Sequence, residues 1–298
     1  MKKLILALVI TLFMMPQSAI CQNKAKIDNR AGYMDVPHFQ NQPRDEKALD
    51  GHGYIQKVQE MGFWEMEEET VKEILSGNMP SALKKFRKIK FKTDGHTVEM
   101  WVLPDYLAVG SDEDFVRMPM GPLAAQRVAD SLYCSLPTTF LVDKIDEAAE
   151  GRIEIFPFRP VGDRNMKPLC FEDSNNAINA LMRAKGLHFG QFVSGLKKDV
   201  VLTTRLENEA GFDRHVAIYG WHHPDGHPQQ PLFIRHGNFY SDYSHGIRLI
   251  YRTIRIDGKE YDLRSVLEDP QMFQMVSSEP VPFKRASYDW QKPWIFKR

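Results

Sequence analysis

The sequence predicts an α+β fold built on a mainly antiparallel sheet, with helices packed on one side of it. Two Asp-Gly dipeptides, at 94–95 and 257–258, lie between runs typical of strands and predict tight hairpins. Apolar residues at helical spacing, for example in 122–133, predict amphipathic helices that pack on this sheet. No internal repeat is visible, so a single non-repetitive fold is expected.

Composition narrows the classes of partner. The 298 residues are enough for one large domain or two ordinary ones, and 43% apolar with 26% charged residues is typical of a folded protein. Lysine plus arginine and aspartate plus glutamate number 39 each, so net charge gives no reason to expect nucleic acid or an anionic membrane as a partner. No segment resembles a nucleic-acid-binding module, and we predict no cofactor.

The N-terminus has the parts of a secretory signal peptide. Lys2 and Lys3 form a basic start, and Leu4–Met15 is an apolar run too short for a comfortable membrane span. Small residues before the cut fit cleavage after Cys21, and lipidation of Cys21 is the alternative. We therefore predict a signal peptide at 1–21, a secreted or periplasmic protein, and no membrane span after cleavage.

The mature chain is predicted to consist of an arm and one composite domain. Residues 22–48 are polar and lack periodicity, which predicts a linker or an arm lying on the fold. Residues 49–298 are predicted to form one composite α+β domain, and the Pro- and Gly-containing connection at 157–168 is the candidate internal boundary. Cys134 and Cys170 remain after cleavage; they could pair, but two cysteines are too few for a disulfide framework.

Local signals place the elements in chain order. The predicted helices cover 67–75, 82–88, 122–133, 138–150, 175–185 and 264–268. The predicted strands cover 90–92, 97–103, 106–109, 152–156, 199–206, 215–221 and 247–256. Thr138 or Thr139 is the expected cap of one helix, and Asp173 or Ser174 caps the helix at 175–185. This assignment puts Cys170 just before a helix N-terminus.

The stretch from Gly195 to Arg255 is where we expect the functional site. It contains six of the ten histidines, in polar and aromatic segments between three predicted strands. Side chains that bind or catalyse are concentrated in such connections, and histidine is the residue that titrates near neutral pH.

A nucleophilic arrangement is the first hypothesis for this site. Unpaired N–H groups and the dipole at a helix start stabilise a thiolate, which favours Cys170 as a nucleophile. The order of Cys170, a helix, the strand KDVVL and the strand HVAIYG resembles the papain-like cell-wall peptidases of the NlpC type. The resemblance covers about 169–245 and implies Cys170 as nucleophile and His215 as base, with His236 or Asn238 as the polar orienting residue.

A metal site is the second hypothesis. His222, His236 and His245, with Asp199, Asp225 or Asp242, offer enough ligands for a three-ligand zinc centre. They form no compact motif such as H-E-x-x-H. His222 and His223 are adjacent, so on a strand they point to opposite faces.

The segment YSDYSHGIR at 240–248 supports a third hypothesis. Asp242 and His245 are candidate catalytic residues that would meet side chains from other strands, and Arg248 could bind a carboxylate or phosphate in bidentate fashion. The structural alternative is a hydrogen-bonded corner that fixes the entry to a strand. The candidate substrate-binding residues of the whole stretch are Lys198, Trp221, His222, His236, Tyr243 and Arg248.

The mature chain also resembles a set of uncharacterised secreted bacterial proteins that share KKDVV, YGWH and DYSHGIRL segments. That resemblance implies one fold through both halves and no particular activity. The leading hypothesis is an exported hydrolase that acts on a cell-envelope or other extracellular polymer or peptide through cysteine and histidine. The alternatives are a non-catalytic module that binds glycan or peptide through Trp221, Tyr240 and Tyr243, and a histidine-ligated metal-dependent hydrolase.

Overall fold

A computed structural model describes residues 25–27, 33–35, 43–158, 164–212 and 214–291. The predicted signal peptide and Cys21 lie outside these residues, as do the centre of the candidate boundary at 157–168 and the last seven residues of the chain. The described residues form an α+β fold with a mainly antiparallel sheet, as the sequence predicts. Within the described ranges, no helix combines the length and the apolar character needed to cross a membrane.

The elements are numbered here in chain order. The helices are α1 (Gly51–Val58), α2 (Phe63–Leu75), α3 (Pro122–Ser131), α4 (Thr139–Ala148), α5 (Pro168–Ala184) and α6 (Leu263–Glu268). The first eight strands are β1 (Lys26–Ile27), β2 (Tyr33–Asp35), β3 (Lys85–Thr93), β4 (His96–Val102), β5 (Ala108–Gly110), β6 (Phe115–Arg117), β7 (Cys134–Ser135) and β8 (Gly151–Arg152). The others are β9 (Val193–Ser194), β10 (Lys198–Val200), β11 (His215–His222), β12 (Pro228–Gly237), β13 (His245–Gly246), β14 (Ile250–Tyr251), β15 (Thr253–Ile256) and β16 (Lys259–Asp262).

The larger sheet is built around the hairpin of β3 and β4. Its order is β1-β3-β4-β14-β7. In addition, β2 pairs with β3, and β15 pairs with both β4 and β16. The hairpin turns at Asp94 and Gly95, both with positive φ, as two-residue hairpin turns require. Asp257 and Gly258 make the same kind of turn between β15 and β16. The two Asp-Gly predictions are therefore confirmed.

The smaller sheet carries the central stretch of the sequence. Its order is β12-β11-β10-β13, with β10 antiparallel to β11 and parallel to β13. β12 is the outer strand on one side and contains Pro228 and Pro231. Two short pairs, β5 with β6 and β8 with β9, complete the strands of the described chain.

Helix starts follow local capping chemistry. The Asp50 carboxylate accepts the Gly53 N–H at 2.8 Å and begins α1. The Thr138 hydroxyl accepts the Leu141 N–H at 3.3 Å and begins α4, as predicted. A proline occupies the first position of α3 and of α5, where its missing N–H costs nothing.

One hydrophobic cluster extends from Ala25 to Tyr288 and includes buried residues from both sides of the candidate boundary at 157–168. α4 lies against β11 and β3, and so joins the two sheets. A smaller cluster lies between α5, β9 and Tyr106 and contains Ile178, Met182 and Val193.

The buried Arg117 side chain connects α5 to the small β5–β6 pair. The Arg117 guanidinium binds the Asp105 carboxylate through Nε at 2.7 Å and Nη2 at 2.8 Å, and both side chains are fully buried. Arg117 Nη1 also donates to the side-chain oxygens of Asn175 at 2.9 Å and Asn179 at 2.8 Å. These two asparagines are four residues apart and so share one face of α5.

Several elements differ from their predictions for identifiable reasons. The predicted helix at 82–88 is only a 3-10 turn, Ser81–Lys84, because the following residues pair with β4 as β3 and bury Phe86 and Ile89. α5 begins seven residues before the predicted 175, since no glycine or further proline interrupts the chain after Pro168.

Two strands of the central stretch are shorter than predicted. The one at 199–206 ends at Val200 and is followed by the π-turn Leu206–Ala210, and the one at 247–256 is divided into β14 and β15. α1 and β12 are elements that the sequence analysis did not predict.

Candidate active site

The start of α5 and the segment from Asn238 to Gly246 form the candidate site. Cys170 is the third residue of α5, so it lies inside the first helical turn and not before it. The Tyr243 N–H donates to the carbonyl oxygen of Asn165, in the turn that precedes α5, at 2.9 Å. This hydrogen bond holds the 238–246 segment against the helix start.

Asp242 organises that segment. Its Oδ1 accepts the Ser244 N–H at 2.9 Å and the Ser244 hydroxyl, and its carbonyl oxygen accepts the His245 N–H at 2.9 Å. Aspartate followed by such a turn is a common local motif. The turn delivers His245 to β13, where it lies beside Lys198 in the parallel pairing with β10.

A tyrosine connects Asp242 to the helix side of the site. The Tyr240 hydroxyl donates to Asp242 Oδ2 at 3.0 Å and accepts from Asn165 Nδ2 at 3.0 Å. Its ring stacks on the ring of His236, with centroids 3.9 Å apart, and meets the ring of His245 edge-on at 5.7 Å. Three of the predicted site residues are therefore brought together around Tyr240.

His245 is fully buried, yet neither of its ring nitrogens has a hydrogen-bond partner among the described residues. Its Nε2 lies 3.9 Å from Asp242 Oδ1, an ion-pair separation that exceeds hydrogen-bond length. Buried polar atoms are nearly always satisfied, so this imidazole is an exception, which it shares in the described chain with single atoms of a few other side chains such as Asp199 and Arg248.

Burial and charge fix the protonation states. Burial lowers the pKa of His245 well below its usual range, so the ring is neutral at neutral pH. Burial alone would raise the pKa of Asp242, but the positive charge that His245 acquires at acid pH and hydrogen bonds from Ser244 outweigh it and lower that pKa. Burial raises the pKa of the Cys170 thiol to about 11, with Asp173 and Asp242 acting in the same direction.

Asp242 is a charged group that acts on both Cys170 and His245. It opposes ionisation of the thiol and favours protonation of the imidazole. Cys170 is 5% exposed, and a narrow crevice, with about 10 Å³ of free space, begins one turn further along α5. Ser174, Trp221, Tyr243 and Ser244 are among its lining residues.

His215 does not join this group. It pairs with Gly237, and the next residue, Val216, pairs with His236. Directly paired residues share a face of a sheet and successive residues alternate, so His215 lies on the face opposite to His236. His215 is therefore separated by the sheet from the ring of His236, which stacks on Tyr240.

His222 lies in a separate cleft of about 430 Å³, lined also by Asp143, Asp146 and Tyr219. Its Nε2 is 3.0 Å from Asp143 Oδ1. Burial alone would lower the pKa of His222, but the hydrogen bond with Asp143 and the charge of Asp146 outweigh it and raise the pKa.

The three histidines of the zinc hypothesis are not arranged around one centre. His236 of β12 pairs with Val216 of β11, and His222 lies six residues after Val216 on β11, which places the two histidine backbones about 20 Å apart. Within the described chain, no three His, Cys, Asp or Glu side chains are grouped to hold a metal ion. The proposed ligand set of His222, His236 and His245 is therefore wrong.

The remaining predicted binding residues are mostly enclosed. Trp221 has a positive φ of 55°, donates its indole N–H to the Gly195 carbonyl at 3.0 Å, and lies under the Lys198 ammonium at 5.7 Å. The Tyr243 hydroxyl donates to the Phe158 carbonyl. Trp221 and Tyr243 are each 7% exposed, so neither presents an open aromatic surface.

The Arg248 side chain is buried against aromatic rings. Its guanidinium lies over the rings of Tyr106 at 4.5 Å and Phe192 at 5.4 Å, and donates to the Val193 carbonyl at 2.9 Å. The side chain is 1% exposed. It fits the predicted alternative of a hydrogen-bonded corner better than contact with a substrate.

Cys134 and Cys170 are both free and both buried, so they do not form the disulfide that the sequence allows. Sequence analysis did not consider Asn165, and it considered Tyr240 only as part of an aromatic surface and not as a hydrogen-bonding group. No local pattern indicates these two roles, because both depend on contacts between residues far apart in the chain.

Comparison with known proteins finds no matching protein-family model, no matching curated protein and no matching solved structure.

Proposed function

We propose that the protein is an exported hydrolase in which Cys170 is the nucleophile and His245, beside Asp242, is the general base. The observation that carries the proposal is the buried imidazole of His245, which has no hydrogen-bond partner in the described chain and shares Asp242 with the thiol of Cys170. The signal peptide predicted at 1–21 supports a substrate outside the cytoplasm, a cell-envelope or other extracellular polymer.

The chemistry follows from these protonation states. The neutral His245 accepts the thiol proton as Cys170 Sγ attacks a carbonyl carbon, and the proton passes to the leaving amine or alcohol. The resulting thioester is then hydrolysed by water, which regenerates the thiol and releases the acid. Asp242 stabilises the imidazolium that forms between the two transfers.

The resting thiol is protonated, so this site depends on its base. A thiol with a pKa of about 11 is almost entirely uncharged at neutral pH. We therefore expect loss of His245 to reduce turnover nearly as much as loss of Cys170, because the two groups act as a unit.

Product analysis by mass spectrometry tests the proposal. The purified mature protein is incubated with peptidoglycan, alongside Cys170→Ala and His245→Ala variants. The matched controls are Cys134→Ala, which removes a buried cysteine elsewhere, and His222→Ala, which removes a histidine in the separate cleft.

The proposal predicts new fragments with the wild type and both controls, and none with Cys170→Ala or His245→Ala. Release of the same amount of fragments by Cys170→Ala as by the wild type would refute the cysteine as nucleophile. Fragments lost with His222→Ala but kept with His245→Ala would move the base to the other cleft. An absence of fragments with every protein would count against peptidoglycan as the substrate.

A non-catalytic module that binds glycan or peptide is the second candidate. Its predicted aromatic surface of Trp221, Tyr240 and Tyr243 is largely enclosed, but Phe156 and Phe239 are 53% and 59% exposed. Binding of the polymer in a sedimentation assay, unchanged in Cys170→Ala and reduced in Phe239→Ala, would favour this alternative.

A further inference from the structure

The separate cleft of His222 has no part in the proposed hydrolysis. It lies between α4 and the turn at 223–227 that joins β11 to β12. The two walls are close together, since a Cβ atom added to Gly226 in the turn would lie 3.8 Å from Asp146 Oδ2 on α4. Its volume of about 430 Å³ is in the range in which proteins hold small molecules, about 300–1,000 Å³.

Two side chains of β11 fix Asp143 in this cleft. Asp143 Oδ1 accepts the Tyr219 hydroxyl at 2.8 Å and lies 3.0 Å from His222 Nε2. Asp143 Oδ2 makes no hydrogen bond within the described chain. The side chain of Asp143 is 44% exposed, so an oriented carboxylate offers its second oxygen to the cleft.

His222 adds an acceptor that no protein group uses. Its side chain is only 4% exposed, and it lines the cleft. A carboxylate can only accept hydrogen bonds, so Nε2 carries the hydrogen that it shares with Asp143, and Nδ1 of the neutral ring is an acceptor. No residue of the described ranges forms a hydrogen bond with Nδ1. This nitrogen is therefore available to a bound N–H donor.

The charges that face the cleft favour a cation. Four carboxylates and one guanidinium line it. Two of these carboxylates form ion pairs with an arginine or a lysine. The other two, Asp143 and Asp225, have only a histidine as charged partner among the described residues. Two acidic groups from opposite walls are thus left without a permanent positive charge.

We propose that this cleft binds an organic cation, an ammonium or guanidinium group on a short alkyl chain, with Asp143 as its counter-ion. Asp143 Oδ2 accepts an N–H of the cation in a charge-assisted hydrogen bond, and Asp225 adds negative charge from the facing turn. A bare metal ion would fill only a small part of the volume. Neither Cys170 nor His245 lines the cleft, so binding there is independent of cleavage.

Isothermal titration calorimetry at low salt tests the inference. The purified mature protein is titrated with cadaverine, a five-carbon diamine, and with arginine amide. Pentanediol is the uncharged control of the same chain length, and calcium chloride is the metal control. The variants are Asp143→Asn, which removes the charge but keeps an acceptor for Tyr219, and Asp225→Asn. Glu154→Gln removes an exposed carboxylate outside the cleft and is the matched control.

We expect the wild type and Glu154→Gln to bind both cations with equal affinity and not to bind pentanediol. Asp143→Asn should bind them at least about tenfold more weakly, because a charge-assisted hydrogen bond is lost. Asp225→Asn should bind them about two- to fivefold more weakly, as expected for an exposed charge. Circular dichroism establishes that Asp143→Asn is folded. Asp225 is exposed, so its variant decides the question if Asp143→Asn does not fold.

Three results would overturn the inference. The first is no heat of binding from either cation at about 10 mM. The second is wild-type affinity in folded Asp143→Asn, or in Asp225→Asn if the former does not fold, because the cation would then bind elsewhere. The third is equal binding of pentanediol, or displacement of cadaverine by an equal concentration of calcium, because the site would then not select an organic cation.

Discussion

Replacing Asp105 by asparagine would test the anchor of the helix that carries Cys170. The change keeps the shape of the side chain but leaves the Arg117 guanidinium fully buried without a counter-charge. Breaking a buried ion pair in this way costs about 3–5 kcal/mol. With a urea slope of about 3 kcal/mol per M, the unfolding midpoint should fall by about 1–1.7 M.

The structure gives two further expectations for this anchor. Arg117 also binds Asn175 and Asn179, so part of the loss should appear as weaker protection of backbone amides in α5. The double variant Asp105→Leu with Arg117→Met buries no charge, and it should recover a large part of the lost stability. A matched control is Glu154→Gln, which breaks the exposed ion pair with Lys185, the residue that follows α5, and should leave the midpoint unchanged.

Chemical unfolding in urea, followed by fluorescence and circular dichroism, provides the assay. A loss below about 1 kcal/mol for Asp105→Asn would place the pair in the range of exposed ion pairs and refute the reasoning. A double variant no more stable than Asp105→Asn would show that the polar network, and not the unpaired charge, carries the stability.

Three more outcomes are expected from single changes. Burial raises the pKa of Glu67 to about 8 from 4.5, so between these two pH values the folded state holds a proton that the unfolded chain has lost. The free energy of unfolding should therefore fall by about 1.4 kcal/mol for each unit that the pH rises in this range. Glu67→Gln should flatten that slope in urea melts measured at different pH values. Tyr240→Phe removes the hydroxyl that bridges to Asp242, so stability should fall by about 1 kcal/mol in urea melts and polymer cleavage should slow. Gly246→Ala places a methyl group into the ring of Tyr106, so thermal melting should show a loss of about 1–3 kcal/mol.

Each of these has a control on the same molecule. Glu68→Gln, at an exposed position beside Glu67, should leave the pH slope as it is, and an unaltered slope in Glu67→Gln would contradict the first expectation. Tyr261→Phe on the β15–β16 hairpin should not affect cleavage, and equal activity in Tyr240→Phe would contradict the second. Gly62→Ala meets nothing within 4 Å and should be neutral, whereas a neutral Gly246→Ala would contradict the third.

Local chemistry made part of the fold predictable. The Asp-Gly turns at 94–95 and 257–258 and the cap at Thr138 depend on residues that are neighbours in the chain, and the structure contains all three. β12 was missed because its partner β11 defines it, and its own sequence, with two prolines, has weak strand propensity.

The candidate site was predictable only in its residue types. Cys170, Asp242 and His245 were all named as candidates, but their common neighbourhood depends on the parallel pairing of β10 with β13 and on the Tyr243–Asn165 hydrogen bond. Such contacts join residues far apart in sequence, so no local pattern records them. The prediction of His215 as base followed the order of a resembling motif, and strand alternation places that side chain on the face opposite to His236.

The outer strand of the smaller sheet has a consequence for behaviour at high concentration. An exposed sheet edge is a template on which a second chain can add a strand and start aggregation. In β12, Pro228 and Pro231 offer no N–H to such a strand, and the register with β11 is interrupted at two places. These features make the edge a poor template for a strand from another molecule.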